Sequence, residues 1–306
     1  MGFAMIRPFA ASLALILSAT GGAADEKPIR QLGFGMLVVN DSFGDRRDRW
    51  QTASVATSRV YGRDWQGALP DRPGAVVEVR FGAQIIAPAN LTSPGIDRLY
   101  ATALSLGAHT HYRSGGWDVT LGGDLVLTGP QTGLDEVQDN LHQAFGLVGP
   151  SAATRANQVG NAVHPTLVVE MGREISFGTA RLRSFVEGRA GAETLLRGGV
   201  DLMFGQGVGD LMARDPVTGH RYRAISGGGT GMGFVLGADI AHVADSAFFP
   251  ARSPVALDDA RGRVRAGVSW QGDRAGGFYG LTWLTPEAQR QSEGQLVGAI
   301  RVNFRF

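Results

Sequence analysis

The sequence predicts an all-β protein, a transmembrane antiparallel β-barrel of about twelve strands with one short helix on its extracellular side. Three observations predict it. An export signal opens a chain that has no later apolar run long enough for a membrane helix, strand-length segments alternate apolar and polar residues, and the last strand ends on an aromatic residue.

The export signal comes first. Arg7 precedes an apolar run from Phe9 to Leu17, and the small residues Gly22, Ala23 and Ala24 precede Asp25. That run falls short of the ~20 residues a membrane-spanning helix needs, so residues 1–24 read as a cleaved signal peptide and residues 25–306 as one barrel domain. Glycine supplies 45 of the 306 residues, which suits tight turns and crowded barrel walls and penalises helices. With no cysteine, disulfides, thiolate metal sites and thiol nucleophiles are excluded, and any metal must use oxygen or nitrogen ligands. A net charge of +1 without a basic block gives no footing to a nucleic-acid partner.

The strand pattern is clearest at the C-terminus. In QLVGAIRVNFRF, Leu296, Gly298, Ile300, Val302, Phe304 and Phe306 fall on one face and Gln295, Arg301, Asn303 and Arg305 on the other. The terminal aromatic is similar to the signal by which barrel-assembly machinery recognises its clients. Val77, Val79, Phe81 and Ile85 alternate with Glu78, Arg80 and Gln84, and Val264, Ala266, Val268 and Trp270 alternate with Arg265, Ser269 and Gln271. Strands are expected near 33–41, 51–61, 75–87, 100–112, 116–128, 166–176, 180–192, 197–205, 232–243, 260–271, 276–285 and 295–306, an even number as bacterial barrels require. One segment has the helical period instead. GLDEVQDNLHQAFG, residues 133–146, spaces Leu134, Val137, Leu141 and Phe145 along one stripe and sets Gln138 and His142 four apart on an adjoining face.

If the first strand rises from the periplasm, strand parity gathers the polar groups at one rim. Asn40 and Asp41 end strand 1, Thr52 opens strand 2, Asp97 and Arg98 introduce strand 4, and the helix with Gln138 and His142 follows strand 5. Beyond strand 8 the parity is open, because 206–230 is long for a periplasmic turn. A histidine with a carboxylate and neutral hydrogen-bonding groups at a lipid-facing rim is a set able to hydrolyse esters, His142 acting as general base on water. Asp41 is a hard oxygen donor suited to calcium, with Asn40, carbonyls and water as further ligands and the ion stabilising an oxyanion. The plainer readings are turn chemistry for Asn40 and Asp41, a solvated His142, and a structural ion pair for Asp97 and Arg98. His109, His111, His164, His220 and His242 lack a comparable sequence neighbourhood and read as lumen or loop residues.

These residues together resemble the lipid A 3'-O-deacylase family of the LpxR type, outer-membrane barrels of twelve strands. The resemblance runs over essentially the whole mature chain: Asn40, Asp41, Asp48, Arg49 and Thr52; then Gln84, Pro88, Asp97, Arg98 and Tyr100; then Gly129, Pro130, Gly133, Val137, Gln138 and His142 in GPQTGLDEVQDNLHQAFG; then Gln158, Asn161, Thr285, Glu287 and Gln295. It implies His142 as the base on water, Gln138 as its neighbour, Asp41 as the calcium ligand, Asn40 and Thr52 as site-shaping groups, and removal of the 3'-linked acyloxyacyl chain from the lipid A of lipopolysaccharide in the outer membrane. The chain departs from the family pattern where Val148 stands in place of a carboxylate six residues beyond the histidine, and where APANLTSPGI carries no lysine. Two other readings remain at this level: an outer-membrane phospholipase with a serine nucleophile, and a channel or structural barrel without chemistry.

Overall fold

A computed structural model describes residues 27–93, 97–205, 212–225 and 230–304; the signal segment and the last two residues of the terminal strand lie outside the described residues. The strands in chain order are β1 (Arg30–Asn40), β2 (Trp50–Gly62), β3 (Val76–Ala87), β4 (Ala101–Ser114), β5 (Trp117–Thr128), β6 (Ala162–Phe177), β7 (Ala180–Ala190), β8 (Glu193–Gly205), β9 (Met212–Arg214), β10 (Arg221–Arg223), β11 (Gly231–Ser246), β12 (Ala260–Gln271), β13 (Ala275–Leu284) and β14 (Gln295–Phe304). All of them except β9 and β10 join edge to edge in one closed antiparallel barrel, so the expected twelve-strand wall is what forms.

The wall is inside out relative to a water-soluble protein. Leu106, Leu125, Leu167, Leu196, Leu236, Ile240, Val264 and Trp283 are exposed on the outer surface, while Glu78, Glu187, Arg197, Asp201, Asp239 and Arg265 are buried within. Only hydrocarbon outside and a polar interior make that arrangement stable. On β12 the predicted alternation holds residue by residue, with Val264 and Trp270 exposed and Arg265, Ser269 and Gln271 buried. No described helix is long and apolar enough to cross a membrane.

Connection lengths orient the barrel. At one rim, Gly115 and Gly116 alone join β4 to β5, Gly178 and Thr179 join β6 to β7, and 272–274 joins β12 to β13, with 63–75 and 206–230 longer; the other rim carries the long connections 88–100, 129–161 and 247–259 and a single two-residue turn, 191–192. Short turns mark the periplasmic end. Several strands run further outward than the sequence pattern indicates: β6 starts at Ala162 rather than 166, β8 at Glu193 rather than 197, and β11 continues to Ser246 rather than 243.

The connection 206–230 resolves the open parity. β8 descends and β11 rises, so the connection is periplasmic, and its described part, 212–225, turns up into the lumen as a small β9–β10 hairpin. Arg214 donates to Glu170 at 2.7 Å and to Asp201 at 3.0 Å. Arg263 donates to the Pro216 carbonyl at 2.7 Å, and the Tyr222 hydroxyl meets Ser58 at 2.7 Å. The hairpin is a plug held by charge pairs on the wall. Its β10 end lies against β1 at Gly35, where an added β-carbon would sit 2.3 Å from the Arg223 carbonyl oxygen.

Gly35→Val is therefore expected to push the plug from the wall. Single-channel recording in planar bilayers should show a closed wild-type barrel and conducting steps in the variant, together with a lower unfolding temperature; equal, silent traces from both would mean the plug tolerates displacement.

Candidate active site at the outer rim

β1 ends at Asn40 and the chain turns at once into a short 3-10 turn, Asp41–Phe43. Asn40 supplies the cap, its side-chain oxygen accepting from Ser42 N–H at 2.8 Å. The turn chemistry read for Asn40 is thus present. Asp41 is buried beneath it, and the chain to β2 is pinned from several sides. Arg49 packs its guanidinium over the Trp50 ring at 4.0 Å, Trp50 Nε1 donates to Asp97 at 2.8 Å, and Gln295 Nε2 donates to the Arg49 carbonyl at 2.6 Å.

Across from this loop stands α1 (Leu134–Phe145), matching the helix expected over 133–146. Glycines in the left-handed conformation bracket it, Gly133 at φ 68° and Gly146 at φ 68°, where other residues would be strained. A second short helix, α2 (Ala152–Ala156), follows and is capped by Ser151. The helix α1 presents its polar face inward: Asp135 and Gln138 are buried, whereas Val137, Leu141 and Phe145 are exposed at 48%, 51% and 75%, and Leu147 and Val148 continue that surface. A helix that hides its polar stripe and shows its apolar one is suited to a lipid neighbour, not to water.

Loop and helix enclose a cleft of about 640 Å³, lined among others by Asn40, Asp41, Asp48, Thr52, Gln138 and His142. All five residues singled out from the sequence thus share one cavity, although they come from β1, the turn after it, β2 and α1. Tyr100, just before β4, donates to Gln138 Oε1 at 2.7 Å and fixes that amide, whose nitrogen faces Asp48 at 3.4 Å. Burial, then the nearby carboxylates Asp135 and Asp48, raise the Tyr100 phenol, which keeps its proton to donate.

His142 is held through both ring nitrogens. Nδ1 is 2.8 Å from the Val148 carbonyl oxygen, and Nε2 is 3.2 Å from Asp48 Oδ2. A carbonyl only accepts, so Nδ1 carries a proton and Nε2 is the position left for base chemistry. Val148, which lacks the expected carboxylate, thus orients the ring with its main chain. The turn after α1 sets that carbonyl, Leu147 N–H bonding back to His142 O at 2.8 Å.

The carboxylates are short of protons. Thr52 Oγ1 lies 2.6 Å from Asp41 Oδ2 and is also hydrogen-bonded to Asp48 Oδ1, yet a hydroxyl has one hydrogen to give. Burial, opposed by the Thr52 hydrogen bond and reinforced by the negative charge of Asp48, pushes Asp41 up to about 7.

Sequence reading missed Asp48 as a site member, since in sequence it is one acid among the charges of DRRDR; only its meeting with His142, Thr52 and Gln138 singles it out. Asp97 and Arg98 are not paired with each other. Asp97 accepts from Trp50 and from Ala89 N–H at 3.0 Å, and Arg98 pairs with Glu287 at 2.7 Å, because the loop turns the two side chains to different neighbours. His109 and His111 are lumen residues as expected, but each has a carboxylate partner the sequence does not show, Asp124 at 2.9 Å and Glu78 at 2.7 Å. Ser58 bonds Glu78 and the plug residue Tyr222, not a histidine, and is fully buried, so it forms no serine-histidine nucleophile.

Fold and rim cleft define the class: a plugged outer-membrane β-barrel with a polar cleft where its wall meets the outer leaflet. The chain belongs to the LpxR family, whose model, described as outer membrane protein LpxR, matches residues 9–306. Among solved structures, LpxR from Salmonella typhimurium superposes with a TM-score of 0.72 at 16% identity, covering 90% of this chain and 100% of that one. The β domain of the Bordetella autotransporter BrkA gives 0.42 at 12% identity over 90% and 99%, and the NanC porin 0.41 at 6% over 90% and 100%. No curated protein sequence matches.

The Asp41 shift has a measurable sign. A carboxyl raised in the folded state stabilises it fully below about pH 4, and that stability is lost as pH rises through about 7, at most roughly 4 kcal/mol. In metal-free buffer the unfolding temperature is expected to fall between pH 5 and pH 8, and Asp41→Asn should remove most of the fall; an unchanged slope in the variant assigns it elsewhere.

Proposed function

We propose that this barrel is a lipid A deacylase that hydrolyses the 3'-linked acyloxyacyl ester of lipid A in the outer leaflet, with His142 as general base. The observation that carries this reading is the oriented imidazole, fixed by the Val148 carbonyl, in a cleft whose other wall is the exposed apolar stripe of α1. The polar end suits the reacting ester and the apolar end its acyl chain. Family membership supports the same substrate.

The residues divide the work as follows. Val148 O holds the proton on Nδ1, which leaves Nε2 to take a proton from water as oxygen attacks the ester carbonyl, and to return it to the departing alkoxide. Asp48 faces Nε2 in the ground state, so water must enter between them. Asp48 sits on the partly exposed loop and Val148 O on the helix turn, so Asp48 is the partner that yields. Tyr100 and Gln138 keep the pocket's polar side in place.

Calcium fits the donor set. Two carboxylates crowd one hydroxyl proton, and Asp41 has no cationic partner among its described contacts. Asp41 and Asp48 would hold the ion, with Thr52, the Asn40 amide oxygen, carbonyls and water completing the shell; among the described residues no group of three or more His, Asp or Glu forms a metal cluster. Bound there, calcium would supply positive charge for the developing oxyanion. The channel reading is disfavoured by the plug, and the phospholipase reading by Ser58 being fully buried and bonded to Glu78 and Tyr222 rather than to a histidine.

Mass spectrometry of lipid A from cells expressing the wild-type chain or His142→Ala tests the proposal. Wild type with calcium should yield lipid A lighter by one acyloxyacyl group, and chelation should prevent this. His142→Ala should slow the reaction by roughly 100- to 10,000-fold, the usual worth of a general base. Unaltered lipid A in every sample would overturn the assignment.

A further inference from the structure

The loop between β1 and β2 carries three arginines, and they differ sharply in their use. Arg47 and Arg49 both reach Glu293, at 2.9 and 2.8 Å, and Arg49 also faces Asp45 at 3.5 Å. Arg46 stands between them in sequence, is exposed, lines the rim cleft, and makes no ion pair or side-chain hydrogen bond among the described residues. It is the one arginine or lysine among the described residues lining that cleft. Its backbone adopts φ 62°, a left-handed conformation that is strained for most L-residues and relaxed for glycine or asparagine, and its N–H bonds to the Asp41 carbonyl at 3.0 Å. The same turn that buries Asp41 therefore directs Arg46 to the cleft mouth.

We propose that Arg46 is the specificity contact of the cleft, its guanidinium binding a phosphate monoester on the sugar headgroup of the lipid substrate. The inference rests on the deacylase reading of the site. The cleft floor is acidic, through Asp41 and Asp48, and its outer wall is apolar, through Leu141, Phe145, Leu147 and Val148. Any calcium held by Asp41 and Asp48 is committed to that floor and the outer wall offers no counter-charge, so the one free cation at the mouth decides whether a phosphorylated headgroup is accepted. A guanidinium presents a planar fork that pairs with phosphate oxygens two at a time, and the ammonium of lysine lacks that geometry. Arg47 and Arg49, already neutralised by Glu293 and Asp45, cannot substitute without breaking the contacts that pin the loop.

The full-length barrel in detergent micelles tests this with two substrates, lipid A bearing its phosphates and the same lipid after enzymatic dephosphorylation. The variants are Arg46→Asn, which removes the charge while suiting the left-handed backbone, and Arg46→Lys, which keeps the charge without the fork. The ratio of kcat/KM for phosphorylated over dephosphorylated lipid should be roughly tenfold in wild type, intermediate in Arg46→Lys and near one in Arg46→Asn, with the change carried by KM. A ratio that Arg46→Asn leaves intact, or a loss equal on both lipids, would overturn the proposal while leaving the deacylase standing. Absence of hydrolysis of either lipid by wild type would remove the deacylase reading and this inference with it.

Discussion

The rim depends on the closure of β1 against β14. The closing pair runs from Val38↔Ile300 to Asn40↔Gly298, and Asp41 is the next residue along the chain. In hydrocarbon an open sheet edge would leave backbone donors and acceptors unpaired at several kcal/mol each, so the seam must hold for the barrel to exist in a membrane. That requirement fixes Asn40 at the outer end of the wall. Capping of the turn by Asn40 and the Asp45 N–H bond to Leu296 O at 2.9 Å then place Asp41 beneath the loop.

Charge inside the barrel serves a second constraint. A twelve-strand lumen is too wide for small inward side chains alone, and here carboxylates and arginines fill it in pairs. Asp201 is shared by Arg214 and Arg265, and Asp239 by Arg197, Arg263 and Arg265. Asp201 also receives Arg214 of the plug, so the network that neutralises the wall also holds the hairpin in the lumen. With the hairpin occupying the lumen, the open cleft lined by acidic and neutral polar groups is at the outer rim.

α1 joins the two. Its inward face is anchored by Tyr100 on Gln138 and by Gln158 on Asp135 at 3.2 Å, both contacts from the connections at the outer rim. With the polar face so occupied, the apolar face is left to the leaflet. The imidazole of His142 sits at the border of the two faces, at the boundary between a polar floor and a hydrocarbon wall, where an acyl ester of a membrane lipid also sits.

Period-two alternation on β3, β12 and β14 and the helical spacing from Leu134 to Phe145 are local properties, and the sequence by itself determined the wall, the helix and the strand parity that puts Asn40, Asp41, Thr52, Gln138 and His142 at one rim. The tertiary structure alone decided the rest. That 212–225 turns inward as a plug follows from charges on β6, β8 and β12 that are far apart in sequence, and no periodicity encodes it. That Asp48 and not another acid of its loop meets His142 depends on how Gln295 and Asp97 pin the chain around it. That Val148 serves through its carbonyl was invisible because a main-chain oxygen is the same in every residue, and only the turn after α1 aims it at Nδ1.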